Sequence, residues 1–259
     1  MSSLEDRMKL YEQATRTVLP RRMPIIVRVD GKAFSKYTKQ LPGKPFDRNF
    51  ISVMESVAIE LCREIQGAQV AFAQSDEISV LVHGYKKFES EPWFANQVQK
   101  MTSVAAAVAA ATFTAKSWRM WAPLAISAED RSPGLDDIEP AYFDARVFVL
   151  PETDVNNYFM WRQRDGIRNS IQMFASHHFS HKELHKKSTG EMIEMCKTKG
   201  ADWYALPPTQ RQGRCVYRHR DVVDGVERSS FRVDTDVPLF RELPCYIERF
   251  LPTEDAETL

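Results

Sequence analysis

Hydrophobic and polar positions follow two periods along this chain, and each change of period marks an element. Residues 25–29, Ile-Ile-Val-Arg-Val, form a β-branched apolar run that ends in Asp30 and Gly31, as a buried strand closed by a turn does. A helical period takes over from 47 to 66. There Ile51, Met54, Val57, Ala58, Leu61, Cys62 and Ile65 recur at three- and four-residue spacing, with Asp47 placed to cap the start and Gly67 to stop the end. Residues 68–73 and 78–83 are apolar and are parted by Gln74, Ser75, Asp76 and Glu77, which reads as a hairpin with Asp76 at its tip. An alanine-rich helix over 93–118 follows, suited to close packing on a sheet. Then come a loop with Pro123, Pro133 and Gly134 and a strand over 144–150, which Pro151 stops. Ahead of all this, residues 4–18 predict a short helix with Leu4, Met8, Leu10 and Tyr11 as its apolar content, ended by Leu19-Pro20.

Strand, helix, strand, strand, helix, strand is the order of the split βαβ, or ferredoxin-like (βαββαβ), α+β fold. In that topology the first and third strands are central neighbours, so Asp30 and Asp76 fall side by side. Beyond Pro151 the character of the chain shifts. Residues 156–180 read as a helix carrying Tyr158, Phe159, Trp161, Arg162, Arg164 and Arg168, which Gly166 kinks or divides. Residues 188–199 predict an amphipathic helix opened by a Ser188–Glu191 capping box and ended by Gly200. Arg214 to Arg220 and Phe231 to Val233 read as a basic hairpin turning at Asp224-Gly225. Basic elements interleaved with aromatics suit a phosphate backbone, and they also occur as ordinary surfaces.

Composition narrows the class. Hydrophobic content of 43% and charged content of 27% describe an ordinary globular chain with ample material for a core. The 35 basic and 35 acidic residues cancel, so any nucleic-acid binding must come from local patches. Cys62, Cys196, Cys215 and Cys245 lie far apart and form no CxxC pair, which argues against a zinc ribbon or disulfide scaffold and fits a reducing compartment. The polar N-terminus is neither a signal nor a transit peptide, and the longest apolar run, 104–111, is too short to span a bilayer. A cytoplasmic protein is expected, with no membrane partner.

Two carboxylates on the ends of neighbouring strands are what a pair of Mg²⁺ ions and a triphosphate need, since hard cations take oxygen ligands. Singly, an Asp after a strand is ordinarily a turn residue, and Ser-Asp in a hairpin ordinarily caps its own backbone. The pairing of Asp30 with Asp76 across an intervening helix is what points to chemistry. The polar loop after Phe34 carries Lys36, Lys39 and Lys44, either phosphate contacts or solvated charges. Lys100 lies one helical turn before Val104 and is expected on the ligand side. His177, His178, His181 and His185 include i, i+4 pairs, but no Glu follows the first His as a zinc protease requires, so a solvated or RNA-facing basic helix is the preferred reading.

Five stretches in register, Arg28-Val29-Asp30-Gly31-Lys32-Ala33-Phe34, Lys44-Pro45, Gln74-Ser75-Asp76-Glu77, Phe143-Asp144-Ala145-Arg146 and Trp161-Arg162-Gln163, resemble the tRNA-His guanylyltransferase family of 3′-to-5′ nucleotide-adding polymerases. The likeness runs from about residue 5 to residue 240. It implies a palm-like catalytic domain over 1–151 and an extension over 152–259, built of helices and a β-hairpin, for RNA binding and subunit contacts. It implies two Mg²⁺ ions on the carboxylates of Asp30 and Asp76 and the carbonyl of Gly31, with Glu77 close by as ligand or as support. The segment Asp30, Gly31, Lys32, Ala33, Phe34, Ser35 would wrap the nucleotide triphosphate, completed by Ser75 and Asp76, with Lys44 and Lys100 near phosphates. The implied reaction activates a tRNA 5′-monophosphate with ATP or GTP, after which the 3′-hydroxyl of GTP or another nucleoside triphosphate attacks. Arg162, Arg164, Arg168, Asn169, Lys182, Lys186, Arg214 and Arg218 are the expected RNA contacts. A homotetramer built as a dimer of dimers is the implied assembly.

One departure bears on specificity. Eukaryotic members carry His-Ile-Asn-Asn just after Trp-Arg-Gln, whereas this chain has Gly166-Ile167-Arg168-Asn169-Ser170. The resemblance therefore leans toward the bacterial, archaeal and phage relatives, which repair 5′-truncated tRNAs by templated addition. A strict tRNA-His guanylyltransferase adding G at position −1 is the alternative. A palm-type nucleotide cyclase and a non-catalytic RNA-binding module are the more remote ones.

Overall fold

The computed structural model describes residues 3–39, 41–84, 91–129, 140–223 and 226–251, and within these the side chains of 121–129, 223 and 227 are not described. The elements in chain order are α1 (Leu4–Gln13), β1 (Ile25–Gly31), α2 (Phe34–Lys39), α3 (Arg48–Glu64), β2 (Ala68–Gln74), β3 (Glu77–Val82) and α4 (Val98–Glu129). After these come β4 (Phe143–Val149), α5 (Glu152–His178), α6 (His181–Leu184), α7 (Thr189–Thr198), α8 (Pro208–Arg211), β5 (Arg214–Val223), β6 (Val226–Asp234) and α9 (Cys245–Glu248).

The strands form one antiparallel sheet in the order β4-β1-β3-β2-β5-β6. The fold is thus α+β, and the central pairing of the first and third strands is as the element order predicts. Alternation along β1 divides the core. Ile25, Val27 and Val29 enter a cluster with α3 and α4, while Ile26 faces the other way into a cluster with Val155, Tyr158 and Phe159 of α5. Both faces of the inner strands are covered, which is why these runs read as nearly continuous apolar sequence.

Helix α3 begins where Asp47 accepts the Phe50 N–H (2.9 Å) and buries Phe50, Val53, Met54, Val57, Ala58, Leu61 and Cys62 as one stripe. Helix α4 buries Met101, Ala105, Ala109 and Phe113 at four-residue spacing, so the alanines do bring it close to the sheet. Helix α5 runs unbroken through Gly166. A Cβ there would lie 2.2 Å from the Gln74 amide group at the end of β2, so Gly166 is the point of closest approach between helix and sheet rather than a kink. Further along, Ile171, Phe174 and Ala175 of α5 form a third cluster with Ile193 and Cys196 of α7 and with Trp203.

Several expectations are corrected. The leading helix stops at Gln13, and Leu4, Met8, Leu10 and Tyr11 are exposed, because α1 packs no residue into the core. The loop after Phe34 opens as the short helix α2. Residues Trp93–Asn96 form a separate 3₁₀ turn, and α4 proper continues past Trp118 and through Pro123 to Glu129. Pro133, Gly134 and the Asp224-Gly225 turn lie outside the described residues. The basic hairpin joins the main sheet through β5 on β2, with Val70 opposite Tyr217 and Ala73 opposite Arg214. Among the described residues no helix is long and apolar enough to cross a membrane.

Candidate active site

Asp30 and Gly31 close β1, and the turn between β2 and β3 closes against them. The Gly31 N–H donates to the Asp76 carbonyl (3.1 Å), and Asp30 is the cross-strand partner of Glu77. Ala33 and Ser75 both sit at left-handed φ (60° and 50°), a backbone strain of order 1 kcal/mol or more each that tight turns at functional sites often carry. The Lys32 N–H donates to the Tyr142 carbonyl (2.8 Å), so the turn is held from the β4 side as well. Gly31 has no room for a side chain, since a Cβ would meet the Phe34 ring at 2.4 Å. Phe34 is buried among Tyr37, Phe50, Phe113 and Phe143 and anchors the segment, leaving Lys32 and Ser35 exposed beside the first turn of α2.

On the α5 face the strands carry charge instead of apolar side chains. Arg28 Nη2 lies 2.8 Å from Asp30 Oδ2 and 2.7 Å from Glu77 Oε2. Arg162 of α5 approaches from above. Its Nε is 3.0 Å from Glu77 Oε1, a charge contact whose N–H is not aimed at that oxygen, and its Nη2 is 2.6 Å from Asp165 Oδ2. Asp165 in turn holds the exposed Arg168 (2.6 Å), while Ser79 and Tyr158 hydroxyls pair at 2.8 Å beneath the helix. The chain of alternating charge therefore runs Asp30, Arg28, Glu77, Arg162, Asp165, Arg168.

Burial pushes Glu77 up to about 7, against the pull of Arg162 and then Arg28. Burial likewise raises Asp76, with the Ser75 hydroxyl pulling it back and the Asp30 charge raising it further. Two partly buried carboxylates that repel one another make a place where a cation would be stabilised.

The donor set fits Mg²⁺. Asp30, Asp76 and the Gly31 carbonyl offer oxygen only, the preference of a hard ion. Among the described residues no three acidic, imidazole or thiol side chains form a metal-holding group, and Mg²⁺ ordinarily completes its shell with water and substrate phosphates. Both Glu77 oxygens face arginines, so Glu77 fixes Arg28, and through it Asp30.

The other expected residues differ in where they lie. Lys44 is exposed on an open groove of about 560 Å³ lined also by Arg48, Asn49 and Gln210, at the N-terminal end of α3. Lys100 does not join the site. It stands on the first turn of α4, beside Met101, and Met101 lines a 250 Å³ pocket with Ile25, Gly67 and Val82 at the opposite end of the sheet. The length of β1, roughly 20 Å at about 3.3 Å per residue, separates that end from Asp30. Arg162 and Arg214, expected as RNA contacts, are only 5% and 2% exposed. Arg162 is committed to Glu77 and Asp165, and Arg214 to Glu55 (3.2 Å). Arg164, Arg168, Asn169, Lys182, Lys186 and Arg218 are exposed. Arg28, Asp165 and Gln74 were missed as site residues; the signal for Arg28 was its i, i+2 spacing to Asp30, which puts both on one face of a strand.

An antiparallel βαββαβ sheet with paired carboxylates where its first strand ends and its third begins fits a nucleotidyltransferase. The chain belongs to the tRNAHis guanylyltransferase (Thg1) family, whose model matches residues 5–151. It is similar to a bacterial tRNA(His) guanylyltransferase (Thg1)-like protein solved in complex with ATP, at 36% identity and a TM-score of 0.84 over 97% of this chain and 100% of that one. A structure of a bacterial Thg1-like protein in complex with GTP matches at 34% identity and a TM-score of 0.80, over 96% and 99% of the two chains. A probable tRNA(His) guanylyltransferase of Drosophila melanogaster is 25% identical over 252 residues, 91% of this chain and 79% of that one.

Proposed function

We propose that this enzyme adds nucleotides in the 3′-to-5′ direction to tRNA 5′ ends and repairs 5′-truncated tRNA against a template. The observation that carries the reading is the Gly31 N–H bond to the Asp76 carbonyl, which fixes the two acidic strand ends side by side beside a turn able to wrap phosphates. The likeness to bacterial proteins solved with ATP and with GTP supports nucleotide binding at this turn. Strands β1 to β4 would serve as the palm of a catalytic domain over 1–151, and the extension over 152–259, which adds β5 and β6 to the sheet edge, would meet the RNA.

In the reaction, a tRNA 5′-phosphate oxygen displaces pyrophosphate from ATP or GTP, and the 3′-hydroxyl of the incoming nucleotide then displaces the nucleoside monophosphate. Asp30, Asp76 and the Gly31 carbonyl would hold two Mg²⁺ ions, which when bound lower the pKa of the attacking hydroxyl and neutralise charge on the leaving group. The residues 30–35 orient the triphosphate through their backbone, Ser75 and Asp76 close over it, and Arg28 with Glu77 keeps Asp30 pointed at it.

Template-directed repair is preferred to strict tRNA-His modification because this stretch departs from the eukaryotic His-Ile-Asn-Asn and its two ends, Gly166 and Ser170, are used for packing. Gly166 lies against Gln74, and the Ser170 hydroxyl accepts from Trp203 Nε1 (3.0 Å) and donates to the Gln210 carbonyl (2.7 Å). The cysteine thiols, three of them buried, fit a cytoplasmic setting, and the uncovered apolar side chains of α1 fit assembly with further copies as a tetramer. The deciding assay offers labelled nucleotides, with Mg²⁺, to a 5′-truncated tRNA other than tRNA-His whose template base is varied. The added nucleotide is expected to follow the template base. Addition of G alone, and only to tRNA-His, would move the enzyme to the strict guanylyltransferase.

A further inference from the structure

Trp161 is 55% exposed in the middle of α5, although the residues around it in sequence, Tyr158, Phe159, Arg162 and Gln163, are buried. A single exposed apolar residue needs no explanation. Trp161 differs in how its ring is held. The Arg162 guanidinium lies 4.1 Å from the ring centroid, and Tyr158 meets the ring edge-on at 5.9 Å. One side of the indole is thus fixed by a buried cation and an edge by a buried aromatic, while the rest is open to solvent. That is a rigid aromatic surface with little conformational entropy left to lose on binding. The same arginine touches Glu77, which shares Arg28 with Asp30, so the ring stands three side chains from the candidate metal carboxylate. Arg164 and Arg168 follow Trp161 at i+3 and i+7 on the exposed stripe of the helix.

An exposed aromatic backed by a cation and continued by a row of arginines is the pattern by which proteins stack unpaired bases while tracking their phosphates. The side of the sheet matters too. The turn over residues 30–35 is anchored by Phe34 into the α3–α4 core, whereas Trp161 stands on the α5 face. The Asp30 carboxylate, tied to Arg28 and through Glu77 to Arg162, points to the α5 face as well, so the Trp161 ring stands on the same side of the sheet as the candidate metal carboxylate.

We propose that Trp161 is a stacking platform for a nucleobase at the 5′ end of the RNA substrate, with Arg164 and Arg168 along its phosphate backbone. The inference rests on the proposed function in taking the ligand to be RNA. The test titrates a fluorescent, 5′-monophosphorylated, 5′-truncated RNA hairpin against the full-length wild type, Trp161→Leu and Trp161→Phe by anisotropy, with ATP and GTP binding measured in parallel by equilibrium dialysis. Trp161→Leu is expected to weaken RNA binding roughly 5- to 100-fold, Trp161→Phe to keep most of it, and nucleotide binding to stay unchanged in both. RNA binding equal to wild type in Trp161→Leu would overturn the assignment, as would no RNA binding by the wild type. An equal loss in Phe and Leu, or a loss of ATP or GTP binding instead, would overturn it in favour of a support role for Arg162 or of a platform for the free nucleotide's base. Wild-type protein that binds the hairpin through Trp161 yet incorporates nothing would defeat the polymerase reading and leave this inference standing.

Discussion

Asp76→Asn is expected to lower nucleotide incorporation about 1000-fold while leaving the protein folded, with an unchanged or slightly raised melting temperature. The carboxylate is proposed to hold Mg²⁺ against the charge that develops on phosphate, and loss of one such ligand removes several kcal/mol of transition-state stabilisation, about 4 kcal/mol for a 1000-fold effect. The amide keeps the shape of the side chain. It also relieves a cost, because burial and the neighbouring Asp30 both disfavour the ionised form of Asp76. Activity and stability should therefore move independently. Labelled GTP incorporation at saturating Mg²⁺, read beside a thermal melt, checks this; a variant that loses activity only because it unfolds would contradict it.

Arg162→Met carries the second large effect, and it falls first on stability. The substitution leaves Asp165 and Glu77 without their shared buried cation, and breaking a buried pair from one side costs about 3–5 kcal/mol. For a chain of this size that corresponds to a fall in melting temperature of roughly 6–15 °C. Incorporation should fall as well, since Glu77 then has Arg28 as its remaining cation among its ion-pair partners, and Arg28 also orients Asp30. Glu77→Gln in the same chain should restore part of the lost stability, because the unpaired buried charge is gone. Melts of the two single variants and the double variant form the cycle that checks it, and strictly additive losses would show that Arg162 and Glu77 do not interact.

The contrast between these two residues marks what the sequence could reveal. Asp30 and Asp76 were legible because a strand announces its own end: β-branched runs stop at Asp30 and restart after Glu77, and the strand–helix order makes the two ends adjacent. The helix from Asp47 and the capping box at Ser188 were legible for the same reason, being signals carried within a few neighbouring positions.

Lys100 failed because helical period tells which face of α4 is buried and says nothing about which end of the sheet the helix starts from. Helix α4 starts at the Ile25 end and reaches Phe34 only at Phe113. Arg162 and Arg214 looked like surface charges because their partners, Glu77 and Glu55, are far away in sequence, and burial of a charge is decided by that partner. The hairpin of β5 and β6 was visible as a hairpin, yet its docking onto β2 depends on Gly213. That glycine holds φ +84° where a Cβ would strike the Phe72 ring at 2.6 Å, a close approach no local pattern encodes. Trp161 was visible only as part of a motif; its exposure became meaningful once Arg162 was seen beneath it.

The most direct measurement counts Mn²⁺ ions bound per chain in the presence of GTP, by electron paramagnetic resonance, for the wild type, Asp30→Asn and Asp76→Asn. Two ions are expected in the wild type, with the loss of at least one in each variant at the same free Mn²⁺. Wild-type stoichiometry and affinity retained in both variants would place the metals elsewhere and contradict the site built on Asp30 and Asp76.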